Sequence, residues 1–333
     1  MTKDSGCTKF ERLLAERGVL VADGAMGTTL FSLGLEGGGC PELLNVEHPE
    51  IVEQVHRRFI EAGADIILTN TFGGNRRRLK LHKLESRVDE LNKAAVEIAH
   101  KAAAGRDVIV AASIGPTGDL FEPLGPLSHG EGVDVFAEQI AAVVDADADV
   151  VWIETISSFE ELNAAAEAAS MFDVPVSVTM SFDTNGRTMM GISPTQLADW
   201  WATTPFRPVS VGANCGIGPG DGVATVYDLT GAHSEIVPVT KANCGLPLYE
   251  TDRLVYPVGP GHMAEYVELA VRSGARIVGS CCGSTPAHTA AIRAALDAGV
   301  AGERPARAEI EERLGAHSSA AVGARRTGGR RRG

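Results

Sequence analysis

The stretch Ala275-Arg276-Ile277-Val278-Gly279-Ser280-Cys281-Cys282-Gly283-Ser284-Thr285-Pro286 contains one complete strand, turn and helix start. Ala275 to Val278 is the apolar run of a short buried strand. Gly279 and Gly283 let the backbone bend, and Pro286 suits the first turn of a following helix. Two adjacent thiols therefore sit at the mouth of a strand-to-helix turn.

The same unit recurs along the chain. Apolar strands are predicted over residues 19–25, 64–72, 107–115, 148–155, 175–182, 209–215, 235–243 and 275–281. Helical patterns lie between them, among them 49–62, 87–104, 133–146, 159–171 and 263–273. A short amphipathic helix over residues 8–17, ended by Gly18, precedes the first strand. Strands that are apolar on both faces and alternate with helices pair in parallel. Eight units in about 280 residues fit a (β/α)8 TIM barrel, whose usual size is ~250 residues. A doubly wound open sheet is the competing α/β architecture. However, Asp23-Gly24-Ala25-Met26-Gly27-Thr28 lacks the glycine spacing of a dinucleotide-binding turn. We expect one barrel domain over residues 8–302 and a C-terminal extension over 303–333, disordered from about residue 316.

Charge and composition exclude other classes. The net charge is −13, but the last eighteen residues carry five arginines and no acid, leaving −18 on residues 1–315. An acidic body argues against a nucleic-acid enzyme, and the Arg-rich tail reads as a solvated terminus. No stretch reaches the ~18 consecutive apolar residues of a membrane span. The first residues lack the apolar core of a signal peptide, so a cytoplasmic protein is expected. Its six cysteines are then reduced thiols, whose clustering points to metal or catalysis rather than disulfides. A homo-oligomer stays open.

In a barrel the C-terminal ends of the strands form one ring, where barrel active sites lie. Asp23 ends the first predicted strand, Thr69-Asn70-Thr71 the second and Glu154-Thr155 the fourth. Asn214-Cys215 ends the sixth, Asn243-Cys244 the seventh and Cys281-Cys282 the eighth. Cys215, Cys281 and Cys282 would offer three soft ligands, and three protein ligands with one open position is the catalytic zinc arrangement. Successive strand side chains alternate, so the eighth strand must bend for both cysteines to face inward. Buried structural thiols and a vicinal disulfide are the competing readings. Cys244 is either a fourth ligand or a packing thiol, and Cys7 and Cys40 lie outside the pattern.

These motifs together, with Ala62-Gly63-Ala64-Asp65-Ile66-Ile67-Leu68-Thr69-Asn70-Thr71-Phe72, Gly212-Ala213-Asn214-Cys215-Gly216 and Gly279-Ser280-Cys281-Cys282-Gly283, resemble the homocysteine S-methyltransferases over roughly residues 10–298. Within that family, the stretches 72–82 and 181–191 resemble bacterial betaine–homocysteine methyltransferases. The resemblance implies Zn2+ on Cys215, Cys281 and Cys282, with the sulfur of homocysteine completing the site. It implies substrate-binding roles for Asp23 and Glu154 at the amino acid end, and for Thr69, Asn70 and Thr71 along the pocket. Ser280 stands where the family usually has glycine.

The implied reaction is methyl transfer to the thiol of homocysteine, forming methionine, with betaine as the favoured donor. A sulfonium donor, or a methylcorrinoid or methylfolate partner protein, is the alternative. None of the nine histidines lies in an Asp-x-His-x-x-Gly cobalamin-binding stretch, so a corrinoid would have to come on a separate protein. A quaternary ammonium donor calls for aromatic faces. Phe72 is the first choice, with Phe31, Phe182, Tyr256 and Trp152 as further candidates, while Arg76 to Arg78 read as a solvated helix face. A non-catalytic zinc- or thiol-binding barrel is the alternative of another class. It leaves the acids at the strand ends without a role.

Overall fold

The computed structural model describes residues 7–35, 37–250 and 253–315. The basic tail expected from residue 316 lies outside these residues. Among the described residues ten strands are present: β1 (Leu20–Val21), β2 (Ile66–Leu68), β3 (Ile109–Ile114), β4 (Val150–Ile156), β5 (Val176–Met180), β6 (Ser210–Cys215), β7 (Pro238–Ala242), β8 (Leu248–Glu250), β9 (Arg253–Val255) and β10 (Ile277–Ser280). Eight of them form one parallel sheet in the order β1-β10-β7-β6-β5-β4-β3-β2. A parallel bridge between Ala22 and Ile66 joins its two ends, through Asp23 N–H to Ile66 C=O at 2.9 Å and Asp65 N–H to Val21 C=O at 2.7 Å. The sheet closes into the expected TIM barrel.

The strands are shorter than predicted at several ends. Thr69 N–H still bonds Ala111 C=O at 2.9 Å, but residues 70–72 leave the ladder as Thr71 N–H turns back to Thr69 C=O at 2.9 Å. The antiparallel hairpin β8–β9 was not predicted; it follows β7, before the helix Pro260–Arg272. The helix at Pro286 begins where the sequence places it, with Thr285 as N-cap and proline in the first turn, and runs to Asp297.

Alternation along the strands sorts the core into two layers. Leu20, Ala22, Ile66, Leu68, Ile109, Ala111, Val150, Trp152, Val239 and Ile277 fill the barrel interior. The opposite faces, including Val151, Ile153, Val176, Val178, Met180 and Val211, pack outward against the helices. The helix Pro49–Glu61 shows the matching helical spacing, burying Val52, Val55, His56, Phe59 and Ile60. The helix Lys9–Arg17 packs Phe10, Leu13 and Leu14 against the interior cluster at the N-terminal end of the barrel. Thr8 caps it in a reciprocal box with Glu11, and Gly18 at φ +74° ends it. Its basic residues meet acids that precede successive strands: Arg17 with Asp65, Arg12 with Asp107 at 2.7 Å and Lys9 with Asp149 at 2.8 Å. The plug thus closes the end opposite the predicted site.

Past residue 302 the chain forms the helix Arg307–Leu314, whose Ile310 and Leu314 join an outer cluster with Val223, Val226 and Val267. Arg313 bonds Glu268 at 2.8 Å and Arg272 bonds Glu309 at 2.6 Å across that contact.

His56 is fully buried, and among the described residues neither ring nitrogen has a hydrogen-bond partner. Burial lowers its pKa from 6.5 to about 4. A histidine held neutral in this way gives stability that is complete above pH 6.5 and declines as the pH falls toward 4. The loss below that range is roughly 3 kcal/mol for a shift of this size. His56→Leu should remove the dependence. Thermal unfolding at pH 7 and pH 4.5 is expected to show the variant gaining on the wild type at the lower pH; a constant difference would contradict this.

Candidate active site

The sulfur atoms of Cys215, Cys281 and Cys282 all lie within 4.8 Å of one another, and Cys215 Sγ is 3.1 Å from Cys281 Sγ. Each cysteine is partly exposed. Zn–S bonds of ~2.3 Å in a tetrahedral site place sulfurs nearly 4 Å apart, so a soft divalent ion fits this donor set with little movement. Cys282 is pulled below the ordinary thiol range by hydrogen bonds from Cys215 and then Cys281. Cys215 is pushed up as donor to the other two.

Backbone conformation delivers the three sulfurs. Cys281 follows the last residue of β10, and the chain then turns, with Ser284 N–H bonding Cys281 C=O at 3.2 Å. Gly283 has φ +82°, and a Cβ there would lie 2.0 Å from Cγ of Tyr256, so both conformation and space require glycine. This is the bend the adjacent cysteines demand. Cys215 adopts φ +57° at the end of β6, a region costly for side chains other than glycine. Ser280 fits within β10, but its buried hydroxyl has no hydrogen-bond partner among the described residues.

Two asparagines brace these turns. Asn243 accepts from Cys282 N–H at 2.9 Å and donates to Gly216 C=O at 2.7 Å, tying the two ligand loops together. Asn214 accepts from Thr155 N–H at 2.8 Å and from Thr179 Oγ1 at 2.8 Å, and donates to Thr155 Oγ1 at 2.7 Å. These bonds hold Thr155, a β-branched residue at φ +64°. Asn243→Ala should weaken metal binding by about 10–100-fold, as loss of a hydrogen bond that orients ligands does. A chelator competition measures it, and unchanged affinity would rule out the bracing role.

A cavity of about 220 Å3 opens beside the thiols, lined by Thr69, Asn70, Phe72, Glu154, Thr155 and Lys241 as well as the three cysteines. Pro41 and Glu42 form part of its wall. Glu154 receives a short hydrogen bond from Ser113 Oγ and a longer one, 3.4 Å, from Asn214 Nδ2. Burial pushes its carboxyl up to about 7 against the pull of Lys241. Asn70 lines the cavity, but its amide donates to Pro41 C=O at 2.7 Å and Asn45 Oδ1 at 3.0 Å, fixing the neighbouring loop. Asp23 and Thr71 are buried outside the lining. Asp23 accepts from Leu68 N–H at 2.8 Å and pairs with Lys241 at 2.9 Å, while Thr71 donates to Ser113 C=O at 2.7 Å.

Of the five aromatic candidates, Phe72 alone lines this cavity among the described residues. Trp152 faces inward but lies in the barrel interior, 5.9 Å below Lys241 Nζ. Phe182 belongs to the outer layer, Tyr256 packs over Gly283, and Phe31 is exposed on the helix Met26–Ser32. Cys244 is fully buried in the outer core and stands outside the thiol cluster. Its thiol is pushed up to about 12 by burial, as befits a packing residue. Lys241 and Asn243 were not singled out from the sequence for any role of their own.

The TIM barrel thus gathers three thiols and a buried carboxylate at the C-terminal ends of its strands, where barrel active sites lie, and the thiols form a donor set that could hold a metal ion. The sequence profile of homocysteine S-methyltransferases matches residues 20–296, and the chain belongs to that family. It is 32% identical over 310 residues to a methionine synthase of Mycobacterium leprae, covering 87% of this chain and 25% of that protein. A methionine synthase of Mycobacterium tuberculosis is also 32% identical, over 304 residues. The chain therefore spans about a quarter of the length of these relatives. Among solved structures it resembles the metallated homocysteine methyltransferase MmuM of Escherichia coli, with TM-score 0.73, 25% identity, and 86% and 99% of the two chains covered.

Proposed function

We propose that this protein methylates the thiol of homocysteine to give methionine, with Zn2+ held by Cys215, Cys281 and Cys282. The observation that carries the reading is the open trithiol cluster, set in one small cavity with Glu154. A metal ion bound there would supply Lewis-acid activation of a thiol. Glu154 would take the substrate ammonium. In the transfer a new S–CH3 bond forms, the donor's bond to that methyl breaks, and its electron pair leaves with a neutral amine or sulfide. The thiol proton passes to solvent. The walls of the cavity serve to hold the two reactants in line, and orientation alone is worth several kcal/mol.

The donor we favour is an onium compound, with betaine first. Phe72 offers an aromatic face on the cavity wall, and the Glu42 carboxylate stands close by, accepting from Gly73 N–H at 2.6 Å. Both suit a cation. A second reading is a methyl group carried on a partner protein. It is favoured by the match to one quarter of long methionine synthases and by exposed Leu120, Leu124, Met189 and Leu246 on loops that follow β3, β5 and β7.

The test is methionine formation by zinc-loaded protein with homocysteine and betaine, without a corrinoid protein. Turnover supports the acceptor and the onium donor together. If turnover fails with betaine and with sulfonium donors but appears with a methylcorrinoid protein, the second reading holds. Failure with every donor, and no effect of homocysteine on the spectrum of the cobalt-substituted protein, leaves a metal-binding barrel.

A further inference from the structure

Lys241 has no task in the reaction as described so far. It lies on β7 with 3% of its surface exposed, and among the described residues it is the only basic side chain lining the cavity. Its Nζ donates to Asp23 Oδ1 at 2.9 Å. Among the described residues no second acceptor takes its other N–H groups, although an ammonium carries three donors. A buried ion pair is a weak source of stability, since apolar residues of similar volume often serve as well. The surrounding interior layer is built of such residues. A charged pair there needs a reason other than packing.

The two carboxylates of the site are not equivalent. Asp23 lies outside the cavity lining, with one oxygen on Leu68 N–H and the other on Lys241. Glu154 lines the cavity, and among the described residues its Oε2 has only the 3.4 Å bond from Asn214. Asp23 is therefore the counter-ion that aims Lys241, and Glu154 is the carboxylate left open. An α-amino acid brings one cation and one anion into this pocket, and leaving either buried without a partner is costly. Glu154 answers the ammonium, and something must answer the carboxylate.

We propose that Lys241 binds the α-carboxylate of the acceptor and so makes the pocket select an α-amino acid thiol over a plain aminothiol. The inference rests on the homocysteine reading above and adds the specificity determinant. Asp23 acts as a positioning residue through Lys241.

Thioether probes test this by calorimetry on the full chain, with and without zinc: L-methionine carries both charges, 3-(methylthio)propylamine only the ammonium, and 4-(methylthio)butyrate only the carboxylate. Wild-type protein should prefer methionine. Lys241→Met should weaken methionine by roughly 10–150-fold, the range of a lost charge-assisted hydrogen bond, and leave the amine as tight or tighter. Lys241→Arg should restore part of the preference, and Glu154→Gln should weaken the amine but not the butyrate. Equal losses for methionine and the amine in Lys241→Met, or unchanged methionine binding, would overturn the assignment. If Lys241→Met does not fold, the pair Asp23→Asn with Lys241→Met removes both charges, and the same comparison decides. Wild-type protein that binds none of the probes and makes no methionine overturns the homocysteine reading itself. Wild-type binding with an unshifted ratio in the variant overturns only the role of Lys241.

Discussion

Cys282→Ala is expected to lose tight zinc binding and methyl transfer together. Structural zinc sites bind with about 10–16 kcal/mol, so one thiolate of a four-coordinate set carries roughly 3–4 kcal/mol, or several hundredfold in affinity. The effect on turnover should be at least as large, because the proposed reaction depends on the ion that these three sulfurs would hold. The remaining two sulfurs, 3.1 Å apart, would no longer enclose an ion on three sides. Cys244→Ala is the matched control, since that thiol is buried in the outer core beyond the cluster. It should keep its zinc and lose only packing stability. A chelator titration on both variants, followed by a methionine assay, separates the cases. Full zinc occupancy with full turnover in Cys282→Ala would break the ligand assignment.

The barrel was legible because its strands are apolar on both faces, and because turn residues recur at their C-terminal ends. Side-chain direction within the site was legible only where strands stay regular. Trp152 and Glu154 share the parity of Val150 on β4, and all three face inward or into the cavity. Phe182 shares the parity of Val178 and Met180, which pack outward, so alternation alone argues against it as a cage residue. Lys241 shares the parity of the interior residue Val239. That signal was present in the sequence and marks a lysine aimed at the barrel axis.

Cys215 is the opposite case. Its parity is that of Val211 and Ala213, which face outward, and only the left-handed turn at residue 215 brings its sulfur to Cys281. Thr155 likewise departs from the outward parity of Val151 and Ile153 through its positive φ. Such a conformation in a residue other than glycine depends on tertiary hydrogen bonds, here those of Asn214, made across the barrel mouth. No local pattern encodes it. Its place at the end of a strand, on the same rim as Cys281 and Cys282, pointed to Cys215 where periodicity alone would have turned it away.

Glu154→Gln should raise the KM for homocysteine by roughly 10–100-fold, the worth of a charge-assisted hydrogen bond, while zinc stays bound. The wild-type pH profile should carry the same signature. Burial pushes the Glu154 carboxyl from 4.5 up to about 7, so the free protein gains its anion only as the pH rises through about 7. The kcat/KM for homocysteine should therefore climb across that range. Ionisation of the substrate thiol adds a rise at higher pH, near ~8.5, and this part should survive in the variant while the lower step disappears. Stability should move the other way. An acid whose folded pKa lies above its unfolded value is stabilising below pH 4.5 and loses that contribution as the pH rises through 7, a change of roughly 3 kcal/mol for this shift. At pH 8 the buried anion burdens the wild type, with Lys241 offsetting part of the cost. Glu154→Gln should then unfold at a higher temperature than the wild type at pH 8, with the gap narrowing toward pH 5. Weaker substrate binding joined to greater stability is the mark of a group buried for function. A variant that loses both would instead make Glu154 part of the scaffold.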